Sequence, residues 1–174
     1  MIKRLTLWLM MIGVSLLVAC DKIPSQVQVR FDAMYFFQSE EVLKQKKVDF
    51  EQLAIFSRNL QTAVAATFKK GQVVPSQGYL VVAVRSDGEV AAWLDMEPEL
   101  HEYYDYEVRE AVKKLKPFAV DQGIVVFGIK MAVESPVHTN KEVPEPKDFI
   151  DARKKLEDPD NIEQLVLSIW PQDE

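Results

Sequence analysis

The chain has 174 residues, of which 48% are hydrophobic and 28% charged, and its formal net charge is −6. This balance is that of a globular protein and excludes a wholly disordered chain, while the length favours one domain over two. The acidic excess argues against nucleic acid as a partner, because binding a phosphate backbone needs Lys and Arg surfaces. A basic protein or a cationic ligand fits this charge better, and the plain alternative is a charge that only keeps the domain soluble.

The amino terminus has the three parts of a secretory signal. Lys3 and Arg4 form a basic start, residues 5–19 are an uncharged apolar run, and Cys20 follows small or apolar residues. At about 1.5 Å per helical residue the apolar run reaches roughly 22 Å, less than the ~30 Å hydrocarbon core, so a permanent span is disfavoured. A short signal anchor with an unmodified Cys20 is the alternative to cleavage.

The segment "LVAC", Leu17 to Cys20, resembles the lipobox of bacterial lipoproteins. The resemblance implies transfer of a diacylglycerol to the Cys20 sulfur, cleavage before Cys20, and a mature chain held on the membrane by acyl chains such as palmitate. Cys20 is the only cysteine, so no disulfide forms within the mature chain. Asp21 resembles the inner-membrane retention signal of enteric lipoproteins. It favours the periplasmic side of the inner membrane, with the outer membrane as the alternative.

The sequence therefore predicts three parts. Residues 1–19 are a cleaved signal peptide, and residues 20–26 are a lipidated cysteine and a short tether that spans at most roughly 20 Å. Residues 27–174 form one globular domain without a transmembrane helix. The mature chain would have 19 basic against 27 acidic residues, a formal charge of −8.

The first half of the domain contains one clear element. Residues 27–37 alternate like a strand but also permit a helix start, so the region up to Lys47 stays open. The next segment predicts one long amphipathic helix, which Asp49 can cap and Gly71 can end. Its apolar residues follow helical spacing: Leu53, Phe56, Leu60, Val64 and Phe68.

The second half mixes strands and helices. Two β-rich runs meet at Asp87-Gly88, which predicts a hairpin with a two-residue turn. Pro98 predicts the start of a second helix, and residues 123–133 predict a strand that is covered on both faces. A surface loop over residues 133–148 and one or two short helices, interrupted at Pro159, complete the chain. The second helix has this predicted apolar stripe: Tyr104, Val108, Ala111 and Leu115.

Three segments between residues 78 and 133, "SDGEV", "EAVKKLKPF" and "GIVVFGIKMAV", resemble the carboxyl-terminal domain of the TonB and TolA family. The resemblance covers about a third of the chain. It implies an α+β fold in which a small antiparallel sheet, the hairpin plus a further strand, packs against amphipathic helices. The chain departs from the family in having a lipobox and a short tether in place of a permanent membrane helix and a long spacer. Binding of another chain is therefore expected, and coupling to a proton-driven motor is not.

The leading functional prediction is a non-enzymatic, periplasm-facing lipoprotein that holds a protein partner with a sheet edge and an acidic helix. It has no cofactor besides the lipid on Cys20. One version is an immunity protein that neutralises a periplasmic toxin, and the other is an accessory subunit of an envelope assembly or transport machine. The last predicted strand would bind by strand addition if it lies at the edge of the sheet. The predicted partner-binding residues are Ile124, Val126, Gly128 and Lys130 of that strand, and Glu102, Asp105 and Glu110 of the helix.

A different class of function, a metal-dependent hydrolase, rests on "HEYYD". His101 and Asp105 are four residues apart and could ligate a metal from one helix face, while Glu102 polarises a water. The third ligand would come from His138 or Glu134. The plain alternative is an acidic first helical turn with a surface histidine.

Five aromatic residues have two interpretations: they form a binding surface, or they fill the core. They are Trp93, Tyr103, Tyr104, Tyr106 and Trp170.

Overall fold

The computed structural model describes residues 27–69 and 72–171. The predicted signal peptide, the lipidated Cys20 and the Asp21 sorting signal lie outside these residues and stay predictions. Within the described ranges, no helix is both long enough and apolar enough to cross a membrane. The elements in chain order are β1 (Val29–Phe36), α1 (Glu40–Gln45), α2 (Phe50–Thr67), β2 (Ser76–Arg85), β3 (Val90–Glu97), α3 (Glu102–Lys113), β4 (Ile124–Val133), α4 (Lys147–Arg153) and α5 (Ile162–Ser168).

The four strands form one antiparallel sheet in the order β1-β4-β2-β3. The predicted α+β class is confirmed. The segment whose structure the sequence left open contains β1, which adds a strand to the predicted hairpin and last strand. β1 pairs with β4 through an irregularity between Phe31 and Met34. The sheet thus has two edges, β1 and β3.

Helices cover both faces of the sheet because side chains on β2 and β4 are apolar at odd and even positions alike. Leu80 and Val82 face α1, α2 and α3, whereas Val81 and Ala83 face α4 and α5. We call these the α2–α3 side and the α4–α5 side. The prediction that the last strand is covered on both faces is confirmed, since nine of its ten residues are buried.

Helix α2 forms as predicted. The Asp49 carboxylate accepts hydrogen bonds from the N–H groups of Glu51 and Gln52, which satisfies donors that the first turn leaves unpaired. Its apolar stripe packs on the α2–α3 side of the sheet, where Leu60 and Val64 are fully buried. The capping and spacing signals are local, which is why the sequence located this helix.

The β2–β3 hairpin has a three-residue loop, so the predicted two-residue turn is wrong. The N–H of Arg85 donates to the carbonyl of Glu89 at 2.9 Å, and the N–H of Gly88 donates to the carbonyl of Arg85 at 2.9 Å. Gly88 has φ +90°, as expected for a turn that ends in a left-handed glycine. Asp87 was correctly placed in the loop, where its carboxylate binds the Arg85 guanidinium.

Helix α3 begins at Glu102, four residues after the proline that was predicted to start it. The carbonyl of Pro98 accepts a hydrogen bond from the Ser76 hydroxyl, and His101 is the N-cap. The buried stripe is Tyr104, Val108 and Val112. The predicted stripe members Ala111 and Leu115 are only partly buried.

Strand β4 lies inside the sheet, and this corrects the strand-addition prediction. Its backbone pairs with β1 on one side and with β2 on the other. The predicted mode required an edge strand, so Ile124, Val126, Gly128 and Lys130 cannot accept an added strand. Sequence pattern could not reveal this because β2 and β4 are equally apolar, and only the pairing decides which strand lies at an edge.

Beyond β4 the chain crosses the α4–α5 side before α4 and α5, which are separated at Pro159 as predicted. The loop is fastened to the sheet. The Tyr79 hydroxyl donates to the carbonyl of Lys141 at 2.8 Å, and Lys141 Nζ lies 2.7 Å from an Asp95 carboxylate oxygen. The predicted surface loop therefore forms part of the cover of the sheet.

Candidate partner-binding surface

One side of helix α3 exposes acidic residues and a tyrosine. We call this the α3 surface, and it consists of Glu102, Asp105, Tyr106, Arg109 and Glu110. Helical spacing places these residues on one side, while the buried stripe occupies the other. Tyr106 is 58% exposed. The sequence predicted three of these residues as partner-binding, namely Glu102, Asp105 and Glu110.

The helix that carries this surface is held firmly in place. The Nδ1 atom of His101 accepts a hydrogen bond from the Tyr103 N–H at 3.2 Å and caps the helix. The Tyr104 ring stacks on Phe68 at the end of α2, with 5.1 Å between ring centroids and 14° between planes. The exposed groups therefore project from a pre-organised support, which lowers the entropy lost on binding.

A small cleft separates α3 from the outer side of β3 and the start of α4. Its volume is about 50 Å³, whereas sites for small-molecule ligands commonly enclose roughly 300–1,000 Å³. The cleft is large enough for the end of one side chain. Its charged lining residues are Glu99, Asp105, Arg109, Lys147 and Asp148.

Asp105 is a lining residue of this cleft whose pKa is shifted by its surroundings. Burial raises the pKa of its carboxyl, the Arg109 charge opposes that shift, and the negative charges of Asp148 and Glu99 reinforce it. Three carboxylates thus share the cleft with two cationic side chains. A cationic group of a partner that entered here would stabilise the ionised form of Asp105.

The β3 edge runs beside this cleft and is open over a short stretch. Hydrogen-bonded and non-hydrogen-bonded residue pairs alternate along the β2–β3 ladder, and Arg85–Glu89 is a hydrogen-bonded pair. The backbone N–H and C=O groups of Ala92, Leu94 and Met96 therefore point away from β2. Ala92 is only 1% exposed, whereas Leu94 and Met96 are partly exposed. A short extended segment could pair at this end of β3.

The other edge, β1, has features that oppose strand addition. Its ladder is interrupted between Phe31 and Met34, and the charged residues Arg30 and Asp32 are exposed along it. Bulges and charges are the usual means by which proteins protect sheet edges. The available edge is therefore the end of β3 next to the α3 surface.

The predicted β4 residues do not join this surface. Ile124 and Val126 are buried beneath the α4–α5 side, and Gly128 is covered by Pro144. Lys130 Nζ donates to the Thr139 carbonyl at 3.3 Å. Of the predicted partner-binding set, only the α3 residues are brought together.

The residues predicted for a metal site are dispersed. His138 lies 3.8 Å from Asp32, and the Glu134 carboxylate accepts the Gln28 N–H at 2.6 Å, so both predicted third ligands lie at the β1 edge. His101 is the N-cap of α3, the helix that follows β3 at the opposite edge of the sheet. The prediction that His138 or Glu134 completes the site is therefore wrong. In the described part of the chain, no three His, Cys, Asp or Glu side chains are grouped closely enough to hold a metal ion.

The aromatic residues divide between core and surface. Trp93 and Tyr104 are buried, and Trp170 packs edge-on against Trp93 at 6.4 Å. Tyr103 and Tyr106 are both exposed, and their spacing of three residues places them on the same side of α3. Tyr106 lies within the α3 surface, and Tyr103 lies at its amino-terminal end.

Sequence reasoning missed the cationic part of the cleft and its α4 wall. Arg109 could have been found, because it follows Asp105 by four residues and such pairs are neighbours on a helix. Lys147 and Asp148 had no such signal, since only the fold brings the start of α4 to this place.

Comparison with protein-family models, with curated proteins and with solved structures found no match. The resemblance to the TonB and TolA domain therefore stays a prediction.

Proposed function

We propose that this chain is a non-enzymatic lipoprotein of the Gram-negative envelope that binds a basic protein partner through the α3 surface. The lipobox at residues 17–20 supports the anchor, and Asp21 supports the periplasmic side of the inner membrane. The mature charge of −8 supports a basic partner, because complementary charge steers association and fixes orientation.

The single observation that carries the proposal is the exposed Tyr106 beside carboxylates on a firmly packed helix. Tyrosine is enriched among residues that dominate binding energy, and its ring buries a large area at low entropic cost. Glu102 and Glu110 lie one turn before and after it. The ring would contact the partner centrally, while the carboxylates meet its basic side chains.

In the version that the charge favours, the partner is a basic toxin delivered to the periplasm, and this chain is its immunity protein. The carboxylates would then cover cationic groups of the toxin. An accessory role in an envelope machine uses the same surface for a resident subunit, and partner identity distinguishes the two versions.

The proposal is tested by affinity capture with the full chain, tagged at its carboxyl end and expressed in its own host. The wild type should retain one basic protein in stoichiometric amount. The triple variant Glu102→Gln/Tyr106→Ala/Glu110→Gln should lose it, because one central aromatic and two charges are removed. Glu157→Gln, which changes an exposed carboxylate between α4 and α5, is the matched control and should retain it.

Equal capture by the triple variant and the wild type would refute a role for the α3 surface. A captured toxin, with loss of resistance on deletion of this chain, identifies the immunity version. A captured envelope-machine subunit identifies the accessory version.

The anchor has its own test, which is the intact mass of the membrane-extracted chain. A diacylglyceryl Cys20 at the new amino terminus is expected, and Cys20→Ala should prevent processing. An uncleaved chain with an unmodified Cys20 would refute the anchor without bearing on the α3 surface.

A further inference from the structure

The described chain begins at one end of the sheet, which we call the anchor end. Val29 pairs with Val133, and Val133 also pairs with Ser76, so the start of β1, the end of β4 and the start of β2 lie in one row. The end of β3 joins them, because Glu97 pairs with Gln77. The β2–β3 loop lies at the opposite end, roughly 30 Å away for a ten-residue strand.

Three large side chains are exposed on separate segments at the anchor end. Val74 precedes β2 and is 63% exposed, and Val137 follows β4 and is 57% exposed. Tyr103, which is 47% exposed, lies in the first turn of α3. Side chains on a helix tilt toward its amino terminus, so the Tyr103 ring leans toward the anchor end.

The length of chain before the described residues limits where this end can be. Six residues lie between Cys20 and residue 27, and the seven residue steps span at most roughly 25 Å when fully extended. If Cys20 is acylated, the anchor end must remain near the lipid headgroups. The tether keeps the effective concentration of the domain at the membrane surface high, so weak contacts are enough to orient it.

We infer that the anchor end rests on the surface of the lipid bilayer, with Val74, Tyr103 and Val137 in the headgroup region. Tyrosine is enriched at this depth, because its ring is apolar and its hydroxyl is polar. The inference rests on the Cys20 anchor of the proposed function and is independent of the protein partner. Tyr103 adjoins the amino-terminal end of the α3 surface, whose part from Tyr106 onward lies further along the helix and stays accessible.

The charge of the anchor end indicates which lipid it suits. The exposed carboxylates there, on Glu97, Glu99 and Glu102, outnumber the exposed guanidinium of Arg30. Anionic lipids would repel these groups at low ionic strength, whereas zwitterionic lipids would not. Contact should therefore be strongest on phosphatidylcholine.

The experiment uses the processed lipoprotein, extracted from membranes and reconstituted in phosphatidylcholine vesicles. Val74→Cys, Tyr103→Cys and Val137→Cys are each labelled with an environment-sensitive fluorophore. The new thiol is the only free one, because the lipid occupies the Cys20 sulfur. Ser86→Cys, in the exposed loop at the opposite end, is the matched control.

We expect labels at residues 74, 103 and 137 to shift to shorter wavelength and to be quenched by lipids that carry a headgroup quencher. The label at residue 86 should be neither shifted nor quenched. Adding phosphatidylglycerol at low salt should reduce the quenching at residue 103, and salt should restore it.

Equal quenching at all four positions, or none at residues 74, 103 and 137, would overturn the inference. The intact mass of the same preparations separates the causes. Absence of quenching in a lipidated chain overturns the resting orientation alone, while an unlipidated chain overturns the anchor and the orientation together.

Discussion

Asp105 is a half-buried carboxyl among other carboxylates, and its ionisation opposes folding. An aspartate in the unfolded chain has a pKa near 3.8, and burial raises the pKa of Asp105 in the folded protein. Between these two pKa values the folded state binds more protons than the unfolded state, so stability falls as pH rises through this interval. Above the pKa of Asp105 in the folded protein, the ionised carboxylate destabilises the fold by its full amount.

Replacing Asp105 by Asn should therefore raise the free energy of unfolding at pH 7. The gain should shrink when the pH is lowered to 3.8, because the raised pKa leaves the wild-type carboxyl more than half protonated there. Urea unfolding of both proteins at the two pH values measures this difference, in which the contributions of unchanged groups largely cancel. A gain that is the same at both pH values, or a loss at pH 7, would contradict the role of burial.

Gly88 allows the three-residue loop of the hairpin because its φ of +90° disfavours side chains. An added Cβ would meet nothing within 4 Å, so the cost of a substitution is that of the backbone alone. Gly88→Ala should lower the free energy of unfolding by about 1–2 kcal/mol, and Gly88→Asn by less, because Asn tolerates left-handed backbone. Urea unfolding tests this order, and equal stability of Gly88→Ala and wild type would contradict it.

At the scale of elements, an ion pair between a buried lysine and a partly exposed glutamate joins the end of α1 to α5. Lys46 Nζ lies 2.8 Å from the Glu163 carboxylate and donates to the Gln122 carbonyl at 3.2 Å. Glu163 also accepts the N–H of Ile124 at 3.0 Å. The Lys46 side chain is only 8% exposed, so removing its counterion would leave a buried charge.

Glu163→Ala should therefore lower the free energy of unfolding by about 3 kcal/mol. The double variant Lys46→Met/Glu163→Leu should recover much of this loss, because it removes the buried charge together with its partner. Denaturant unfolding of the two variants provides the comparison. A double variant as unstable as Glu163→Ala would show that the destabilisation does not come from the unpaired Lys46.

The elements that the sequence predicted best are those with local signals. Asp49 and the helical spacing of Leu53 to Phe68 specify α2, and Pro159 separates α4 from α5. The start of α3 was misplaced because His101, an uncommon cap, replaced the expected Pro98. In "KQKKVD", nothing distinguishes the buried Lys46 from its exposed neighbour Lys44, because its burial depends on α5.

The candidate site was predictable only in part. The acidic helix is evident from its composition, so the sequence alone predicts Glu102, Asp105 and Glu110 as partner-binding residues. The edge strand beside it was not, because strand order depends on pairing between residues far apart in the chain. The structure replaces the predicted β4 edge with the short open end of β3.

At the scale of the whole molecule, the two proposed surfaces adjoin at the first turn of α3. The anchor end presents Val74, Tyr103 and Val137, while Tyr106 lies almost one turn further along α3. A chain resting on its anchor end would hold the α3 surface beside the membrane rather than against it. A periplasmic partner could then bind while the lipid remains inserted.

The most direct test of partner binding is site-specific photo-crosslinking in living cells. A photoreactive amino acid replaces Tyr106 in one variant and Glu157 in the matched control, and cells are irradiated without disruption. We predict a crosslink from residue 106 to one basic envelope or secreted protein, and none from residue 157. No crosslink from residue 106, or the same products from both positions, would contradict binding through the α3 surface.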